Sequence, residues 1–264
     1  MTQALGALGR KFIRVLQHLT NFTYLSKDSL KWTLVAPLQG KGLSMTDLAM
    51  QMVHIGVNSI PIVTIITFLV GLIIAMQSAY QLERFGASIY VADLVGVSIT
   101  RELGPLITAI ILAGRSGSAI TAELGTMKVS EEIDALTTMG INPVKFLVAP
   151  RLLAMAIMVP CLTLLADLMG IVGGMVLAIN ALDIDLTRYF MQTINALVFK
   201  DLITGLIKSA VFAIIIAGVG CYQGFIVKGG AEGVGKSTTN SVVISIFLII
   251  LADVVFTALF YSTL

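Results

Sequence analysis

The hydrophobic residues of this sequence fall into five long blocks that are separated by shorter polar segments. An α-helix rises about 1.5 Å per residue, so about 20 apolar residues cross the hydrocarbon core of a bilayer. Each block reaches that length, which predicts transmembrane helices at about residues 55–80, 95–124, 146–182, 202–227 and 242–261. We therefore expect an all-α integral membrane protein whose transmembrane domain occupies residues 48–264.

Two of these blocks depart from a plain membrane helix. The second is interrupted by the Arg-Glu pair at 101–102 and by the polar run Gly-Arg-Ser-Gly-Ser at 114–118. The third is longer than a bilayer requires, so we expect it to tilt, to kink at Pro160 or to project from the membrane. Within it, Gly170 and Gly174 have the spacing of close helix packing, which a glycine-rich apolar chain also produces by chance.

Residues 1–47 carry a different pattern, in which one side of a helix is apolar and the other is basic. The apolar stripe recurs at three- and four-residue spacing and comprises Leu5, Leu8, Phe12, Val15, Leu16, Leu19 and Phe22. Arg10 and Arg14 lie away from that stripe. This pattern is typical of an amphipathic helix lying in the headgroup region of an anionic leaflet. We expect such an interfacial helix before the first span, and packing against another protein segment is the alternative.

The composition excludes a soluble globular domain. Of the 264 residues, 57% are hydrophobic and 12% are charged, and the mean hydropathy is +0.96. Soluble domains carry about 25% charged residues, so this chain has too little polar surface to cover a particle of its size. The two cysteines, Cys161 and Cys221, both lie inside apolar blocks, where isolated core thiols are the expected interpretation.

The segments that flank the spans form two sets, one on each side of the membrane, and lysine and arginine are distributed unequally between the two sets. The richer set comprises the amino-terminal segment, the loop between the second and third spans and the loop between the fourth and fifth. It holds Arg10, Lys11, Arg14, Lys27, Lys31, Lys41, Lys128, Lys145, Arg151, Lys228 and Lys236, against Arg84, Arg188 and Lys200 in the other set. Basic loops remain in the cytoplasm, so the sequence predicts a cytoplasmic amino terminus and a carboxy terminus on the opposite side.

Residues 230–237 match the phosphate-binding pattern G-x-x-x-x-G-K-[ST]. Asp253 follows an apolar run, as the metal-binding aspartate of nucleotide hydrolases does. Such a site needs a buried strand before the loop and a soluble helix after it. Here one predicted span precedes the segment and another follows it. We therefore interpret residues 230–237 as a flexible, glycine-rich connection and expect no cofactor or metal on this chain. A P-loop enzyme is the alternative that a nucleotide-binding assay tests.

Six ionisable residues fall inside the predicted spans: Arg101, Glu102, Arg115, Asp167, Lys208 and Asp253. A charge within the bilayer is costly unless it is paired or hydrated, so each is a candidate functional residue. Counting along the spans predicts that they share a layer in the outer half of the bilayer. We expect Lys208 to pair with Asp253, and Arg101 and Glu102 to join the same polar network. The network either holds the helices together or forms part of a transport path.

Residues 127–140 predict a short amphipathic helix between the second and third spans. Its apolar residues recur at helical spacing and are Val129, Ile133, Leu136 and Met139. Glu131, Glu132 and Asp134 lie elsewhere around the helix, and Gly140 is a natural stop. Such a helix either docks in the groove of a partner or lies on its own bundle. Periodicity does not decide between these two arrangements.

Several motifs follow one another along the chain. They are Arg-Glu-Leu-Gly-Pro at 101–105, Ala-Gly-Arg-Ser-Gly-Ser-Ala at 113–119, Thr-Ala-Glu-Leu-Gly at 121–125, Glu-Glu at 131–132 with Gly140 and Pro143, Pro-Arg at 150–151, Ile-Lys-Ser at 207–209 and the segment 229–239. Together they resemble the MlaE family of ABC-transporter permeases. The resemblance covers about residues 45–264, and Lys236 stands where members of the family often carry Arg.

The resemblance implies a permease subunit that is not itself an enzyme. Members of this family form homodimers, pair with a cytoplasmic ATPase that binds ATP and Mg, and work with a periplasmic lipid-binding protein of the MCE type. A small cytoplasmic accessory subunit is a further candidate partner, and no nucleic acid is expected. Such complexes move phospholipids between the inner and outer membranes and maintain outer-membrane lipid asymmetry, which implies a multi-pass protein of the bacterial inner membrane. The matching short helix makes Glu131, Glu132, Asp134, Met139 and Gly140 candidates for contact with the ATPase.

A two-tailed lipid needs an apolar cavity with polar groups beside its headgroup. The outer end of the first span and the start of the second supply both, which makes Ile74, Gln77, Leu82, Phe85 and Leu103 candidates for a lipid pocket. Ordinary helix packing is the alternative for these residues. For the whole chain, the alternative function is an ion-coupled carrier or channel in which the intramembrane charges relay ions. Dependence on a separate ATPase would distinguish the two functions.

Overall fold

The computed structural model describes residues 44–261 as a bundle of long helices, with no β-strand among them. Within residues 44–261, five helical stretches are long and apolar enough to cross a membrane: Met45–Phe85, Ser88–Val129, Val144–Leu182, Phe199–Phe225 and Gly230–Phe260. They are called spans 1 to 5 below. The all-α, five-span architecture predicted from hydropathy is confirmed. The apolar stripe predicted between residues 5 and 22 lies outside the described residues.

The first three spans are composite, whereas spans 4 and 5 are single helices. The α-helices are Met45–Ile55, Ile60–Leu82, Val91–Ser98, Gly104–Leu112, Ser118–Val129, Glu132–Thr138, Ala149–Leu182, Leu186–Ala196, Phe199–Phe225 and Gly230–Tyr261. Short 3-10 turns occur at Val57–Ser59, Glu83–Phe85 and Ser88–Tyr90, and π-helical turns at Ile99–Leu103, Ala113–Gly117 and Val144–Val148. We call the end of the bundle that carries Glu132–Thr138 the near face, and the end that carries Leu186–Ala196 the far face.

The two polar interruptions predicted in span 2 are both π-helical turns. Ile99–Leu103 contains the Arg-Glu pair, and Ala113–Gly117 contains Arg115. A π-turn inserts one extra residue into a helix and commonly marks a functional site. The chain therefore passes these polar runs without leaving the helix. The helix of span 3 likewise continues through Pro160 from Ala149 to Leu182.

Hydrogen bonds between the spans fix their relative directions. The contacts are Glu102 with Lys208 and Thr257, and Thr121 with Gly220 and Ser241. Residue numbers rise together along spans 2 and 4, so these two helices run parallel. They fall along span 5 as they rise along span 2, so span 5 is antiparallel to both. The polar groups of the three spans are thereby brought together at two levels.

Spans 1 and 3 cross at glycines. A Cβ atom on Gly71 would collide with the backbone of Gly170, and one on Gly173 would collide with the backbone of Phe68. Backbones can approach this closely only where side chains are absent, which is how small residues promote packing between membrane helices. Of the two glycines noted in the sequence, Gly170 lies at this crossing, whereas Gly174 packs against Val95 and the hydroxyl of Tyr189.

The segment at 230–237 differs from its prediction. It forms the beginning of the single helix Gly230–Tyr261, so the expectation of a flexible connection there was wrong. The reversal of the chain occurs earlier, at Gly229 and Gly230, whose φ angles are +91° and +71°. Both values lie in the left-handed region that favours glycine. The helix of span 5 therefore begins about three turns before its predicted start at residue 242.

Candidate functional site

The most deeply buried charge of the described bundle is the ammonium group of Lys208, whose residue is 1% exposed. Its Nζ donates hydrogen bonds to Asp253 Oδ1 at 2.9 Å, to Thr257 Oγ1 at 2.8 Å and to Glu102 Oε2. Thr257 Oγ1 in turn donates to Glu102 Oε1 at 3.2 Å. We call these four residues the Lys208 cluster. An ammonium group has three N–H donors, and here all three have acceptors.

The Lys208 cluster joins three helices through one charge. Glu102 comes from the π-turn of span 2, Lys208 from span 4, and Asp253 and Thr257 from span 5. Asp253 and Thr257 are four residues apart, so they lie on the same side of one helix. A buried charge in a membrane is tolerated when it is paired and its hydrogen bonds are satisfied. The cluster therefore fixes the relative positions of spans 2, 4 and 5.

The predicted pairing of Lys208 with Asp253 is present, and Glu102 joins it as expected. The prediction that Arg101 joins the same network was wrong. Arg101 Nε lies 3.6 Å from Oδ1 of Asp201, at the first turn of span 4. Adjacent residues of a helix point in directions about 100° apart, so Glu102 and Arg101 cannot both face Lys208. Asp201 had not been singled out because it lies just before the predicted start of span 4.

Arg115 and Asp167 also lie outside the Lys208 cluster, and the prediction that all six charges share one layer was wrong for Arg115. Arg115 is separated from Glu102 by about 20 Å of helix, and its guanidinium donates to Ser59 Oγ and to the carbonyl of His54 at 3.4 Å. Asp167 packs against Gly104, where no side chain separates the carboxyl from the helix of span 2. Arg115 thus lies at a different depth from the Lys208 cluster, whereas Asp167 lies at nearly the same depth as Glu102, which is two residues from Gly104.

Another ion pair lies toward the near face and was not singled out from the sequence. Arg151 Nη2 lies 2.6 Å from Oε1 of Glu123, and Arg151 Nη1 donates to the carbonyl of Leu147 at 2.5 Å. Arg151 is buried, whereas Glu123 is exposed. The pair connects spans 2 and 3 at the end opposite the Lys208 cluster. The Thr-Ala-Glu-Leu-Gly and Pro-Arg motifs contained the signal, but spacing in the sequence could not show that they meet.

The short helix on the near face spans Glu132–Thr138, which is less than the predicted 127–140. Span 2 continues as a helix to Val129, and the chain then breaks at Glu131, which has a φ of +62°. Ile133 is buried against the bundle and Leu136 packs on the same core. The apolar side of the helix is therefore occupied by its own protein.

The other side of the short helix is available to a partner. Glu131, Glu132 and Asp134 are exposed, and Met139 has 72% of its surface accessible. Asp134 accepts two hydrogen bonds of 2.9 Å from Lys128 Nζ, which holds the helix against the end of span 2. Gly140, with a φ of +76°, then reverses the chain. The five residues predicted to contact an ATPase thus lie together on the near face.

The five residues predicted for a lipid pocket divide into two groups. Ile74, Leu82 and Leu103 are partly buried and pack on one apolar cluster between spans 1 and 2. Gln77 is exposed and lines an open cavity of about 590 Å³ on span 1. Phe85 is 82% exposed in the turn that follows span 1. The structure therefore brings Ile74, Leu82 and Leu103 together, and leaves Phe85 at the far face.

Tyr189, in the helix between spans 3 and 4, is buried and its hydroxyl lies against Gly174. Burial raises the pKa of Tyr189 to about 12. The residue therefore remains a neutral phenol and anchors the far-face helix Leu186–Ala196 to span 3.

Comparison with known proteins decides the family. Residues 48–259, which include the Lys208 cluster and nearly the full length of the five spans, match the family model described as Permease MlaE. The chain belongs to the MlaE permease family. The resemblance inferred from the motifs is confirmed. In this MlaE permease, two of those motifs contribute the π-turns of span 2, at Ile99–Leu103 and Ala113–Gly117.

Named relatives of this MlaE permease come from several lineages. A probable ABC transporter permease protein of Rickettsia felis is 38% identical over 257 residues, which are 97% of each chain. A probable ABC transporter permease protein of Synechocystis is 38% identical over 216 residues, or 82% of each chain. The chloroplastic protein TRIGALACTOSYLDIACYLGLYCEROL 1 of Arabidopsis thaliana is 35% identical over 212 residues, which are 80% of this chain and 61% of the plant protein. The MlaE permease is thus a multi-pass membrane protein similar to ABC transporter permeases.

Proposed function

We propose that this chain is the membrane-spanning subunit of an ATP-driven transporter that moves phospholipids between the inner and outer membranes of a bacterium. In this role it maintains the lipid asymmetry of the outer membrane. The observation that carries the proposal is the match of residues 48–259 to the MlaE permease family. The chain itself is not the enzyme in this proposal, because a separate cytoplasmic ATPase binds and hydrolyses ATP with Mg.

The exposed side of the short helix is the proposed docking site for that ATPase. Glu131, Glu132 and Asp134 lie at the start of this helix and the exposed Met139 follows its end, so the near face carries an exposed apolar side chain together with acidic groups. Interfaces of this kind derive most of their binding energy from a few buried anchors, while charges around them improve specificity. Because the opposite side of the helix is fixed by Ile133, motion of the ATPase would be transmitted to spans 2 and 3.

The near face is cytoplasmic in this proposal and the far face is periplasmic. The distribution of Lys and Arg supports this orientation by the positive-inside rule. The protein then lies in the inner membrane with its amino terminus in the cytoplasm and its carboxy terminus in the periplasm. A periplasmic lipid-binding protein of the MCE type would approach the far face, and a small accessory subunit would approach the cytoplasmic ATPase.

A second copy of the chain is the proposed partner of span 5. Its exposed residues include large apolar side chains on several turns, namely Val243, Phe247, Ile250, Val254 and Leu259. Within the described chain, span 5 is the least buried of the five spans. Homodimerisation would cover this surface and bring two Lys208 clusters close to the same central path. The lipid pocket predicted from Ile74, Gln77, Leu82, Phe85 and Leu103 would open toward that path from the far face.

An ion-coupled carrier or channel is less well supported by the geometry. A relay requires ionisable groups that follow one another within hydrogen-bond reach across the bilayer. Here Arg115 is separated from the Lys208 cluster by about 20 Å of helix, and no hydrogen bond joins Asp167 to the cluster among the described residues. The ammonium of Lys208 already has three acceptors. Closed groups of this kind suit the stabilisation of a helix bundle better than the passage of an ion.

Purification of the intact complex from its own membranes tests the proposal. The tagged chain should co-purify in mild detergent with an ATPase, and mass spectrometry should identify phospholipid in the same sample. Met139→Asp should remove the ATPase and leave the lipid, and Leu186→Asp, on the opposite face, should remove neither. Purification of a chain that binds neither an ATPase nor lipid would contradict the proposed function.

A further inference from the structure

The ion pair between Glu123 and Arg151 closes the base of the loop that joins spans 2 and 3. The short helix Glu132–Thr138, which carries the proposed docking site for the ATPase, lies at the tip of this loop. Glu123 is about 9 Å of helix before the end of span 2 at Val129. The loop therefore has its base within the bundle and its tip at the near face.

Arg151 is held in place by the chain on its own side of the loop. Its Nη1 donates to the carbonyl of Leu147 in the π-helical turn that begins span 3, and its Nη2 lies 2.6 Å from Oε1 of Glu123. Only 4% of Arg151 is exposed, whereas the side chain of Glu123 is 55% exposed and lines an open cavity of about 650 Å³. The arginine is thus a fixed donor, and the glutamate is the group that it positions.

The stability of the fold does not account for a buried arginine at this place. Removal of a guanidinium group from water is costly, and an apolar side chain of similar volume often stabilises a fold equally well or better. Arg151 Nε also lacks a hydrogen-bond acceptor among the described residues. Glu123 offsets little of this cost, because water screens an ion pair that has an exposed partner. A buried polar group with no matching gain in stability indicates a functional role.

The pair adds a polar link between helices that pack on different neighbours. The near-end helix of span 2, Ser118–Val129, packs mainly on spans 4 and 5, and Thr121 forms hydrogen bonds with both of them. Span 3 packs most extensively on span 1, where glycines bring the two backbones together, and it also contacts span 4. The pair therefore connects the near end of span 2 to span 3 at a level close to the proposed ATPase site.

The short helix is connected separately to each of these two spans. A residue with positive φ lies at each of its ends, Glu131 at +62° and Gly140 at +76°, and redirects the backbone there. Asp134 bonds to Lys128 at the end of span 2, while the chain beyond Gly140 leads into span 3. A force on the short helix therefore reaches spans 2 and 3 by different routes. Without a link at the base of the loop, the two spans could be displaced by different amounts.

We propose that Arg151 is a positioning residue for transport, which holds Glu123 so that the near ends of spans 2 and 3 move together when the ATPase acts on the short helix. The inference rests on the proposed function. Loss of the pair lets ATP be hydrolysed without an equal movement of the two spans, so hydrolysis and lipid transfer become uncoupled. The docking site lies at the tip of the loop and keeps its affinity for the ATPase.

Measurement of ATP hydrolysis and lipid transfer in the same sample tests this role. The full complex of permease, ATPase and lipid-binding protein is placed in vesicles that contain a fluorescent phospholipid. Glu123→Gln removes the charge of the exposed partner. It should lower the phospholipid transferred per ATP hydrolysed by about three- to tenfold, as expected for a residue that couples distant sites. Its affinity for the ATPase and its Tm should equal those of the unchanged chain.

Two further variants serve as controls for the charge. Glu123→Asp keeps the carboxylate, so it should retain most of the transfer per ATP. Glu232→Gln removes an exposed carboxylate at the start of span 5, also toward the near face, and should change neither rate. A loss of coupling in Glu123→Asp equal to that in Glu123→Gln, or the same loss in Glu232→Gln, would overturn the assignment to this ion pair.

The results also separate this inference from the proposed function. Failure of the unchanged complex to transfer lipid with ATP would contradict the proposed function itself. If that complex does transfer lipid, an unaltered ratio of transfer to hydrolysis in Glu123→Gln overturns the role of Arg151. A lowered Tm or weaker binding of the ATPase in Glu123→Gln would show that the pair serves the fold or the docking site, and would overturn the role as well.

Discussion

The Nζ of Lys208 lies 2.9 Å from Oδ1 of Asp253, although the two residues are 45 positions apart and belong to different spans. The contact is completed by Glu102 and Thr257, so that span 2 joins spans 4 and 5 at a single buried charge. The interaction is intramolecular, and the side chain of Lys208 at its centre is 1% exposed. Its loss should therefore be measurable as a loss of stability as well as of transport.

Replacement of Lys208 by Met should destabilise the protein strongly. The substitution leaves Glu102 and Asp253 facing one another without a cation, and an uncompensated buried charge of this kind costs about 3–5 kcal/mol. Thermal unfolding of the purified protein in detergent should show a clear decrease in Tm. Lys236→Met, at an exposed position, provides the matched control and should leave the Tm unchanged.

The combined variant Lys208→Met, Glu102→Gln, Asp253→Asn separates charge from shape. Removal of all three charges should recover a large part of the lost stability, because the effects of residues in one network are not additive. If the triple variant were as unstable as the sum of its single variants, the Lys208 cluster would not be a coupled unit.

Replacement of Gly173 by Ala should weaken the crossing of spans 1 and 3. The new Cβ would meet the backbone of Phe68, which cannot move aside as a flexible side chain could. Overpacking of this kind costs about 1–3 kcal/mol. Gly235→Ala is the matched control, because no atom lies within 4 Å of its added Cβ and alanine favours the helix. An equal Tm for the two variants would contradict the close crossing.

The two sides of the short helix should respond differently to substitution. Met139→Asp alters an exposed side chain, so it should weaken binding of the ATPase by about tenfold while leaving the Tm unchanged. Ile133→Asp puts a charge into the core and should lower the Tm. Binding of the purified ATPase to the chain in detergent, measured together with thermal unfolding, distinguishes them. Loss of stability in the Met139 variant would show that this side chain stabilises the fold and would contradict its assignment to the ATPase interface.

Polar substitutions in the predicted lipid pocket should reduce the amount of lipid that co-purifies with the protein. Leu82→Asn and Phe85→Asn replace apolar side chains at the far-face end of span 1, and quantitative lipid mass spectrometry measures the result. Leu186→Asn, which alters an exposed leucine of the far-face helix, is the control. Unchanged lipid occupancy in both pocket variants would exclude these residues from the binding site.

Hydropathy was sufficient to predict the five spans, because burial in lipid requires a minimum length of apolar helix. Pairing of Lys208 with Asp253 could also be predicted, since each charge needed a partner at its own depth. Asp253 and Thr257 have the four-residue spacing of one helix side, and this signal could have identified Thr257 in advance. The helical start of span 5 could not have been predicted from the sequence, because Gly233 and Gly235 weaken the local preference for a helix. The helix there depends on packing within the bundle.

The separation of Arg101 from Glu102 could not be predicted from composition or from depth. Both residues are at the same level, and their directions depend on the π-turn at Ile99–Leu103. Sequence spacing likewise did not show that Arg151 meets Glu123, because the contact depends on how spans 2 and 3 are aligned. Position along the membrane normal is thus easier to predict than position around a helix, since the former follows from counting and the latter from packing.

Transfer of phospholipid in a reconstituted system tests the proposed transport most directly. The full complex of permease, ATPase and lipid-binding protein would be placed in vesicles that contain a fluorescent phospholipid, and its transfer to acceptor vesicles would be followed. The account predicts transfer that requires ATP and that is lost with Met139→Asp in the permease. Transfer at the same rate without ATP, or ion flux without any movement of lipid, would contradict it.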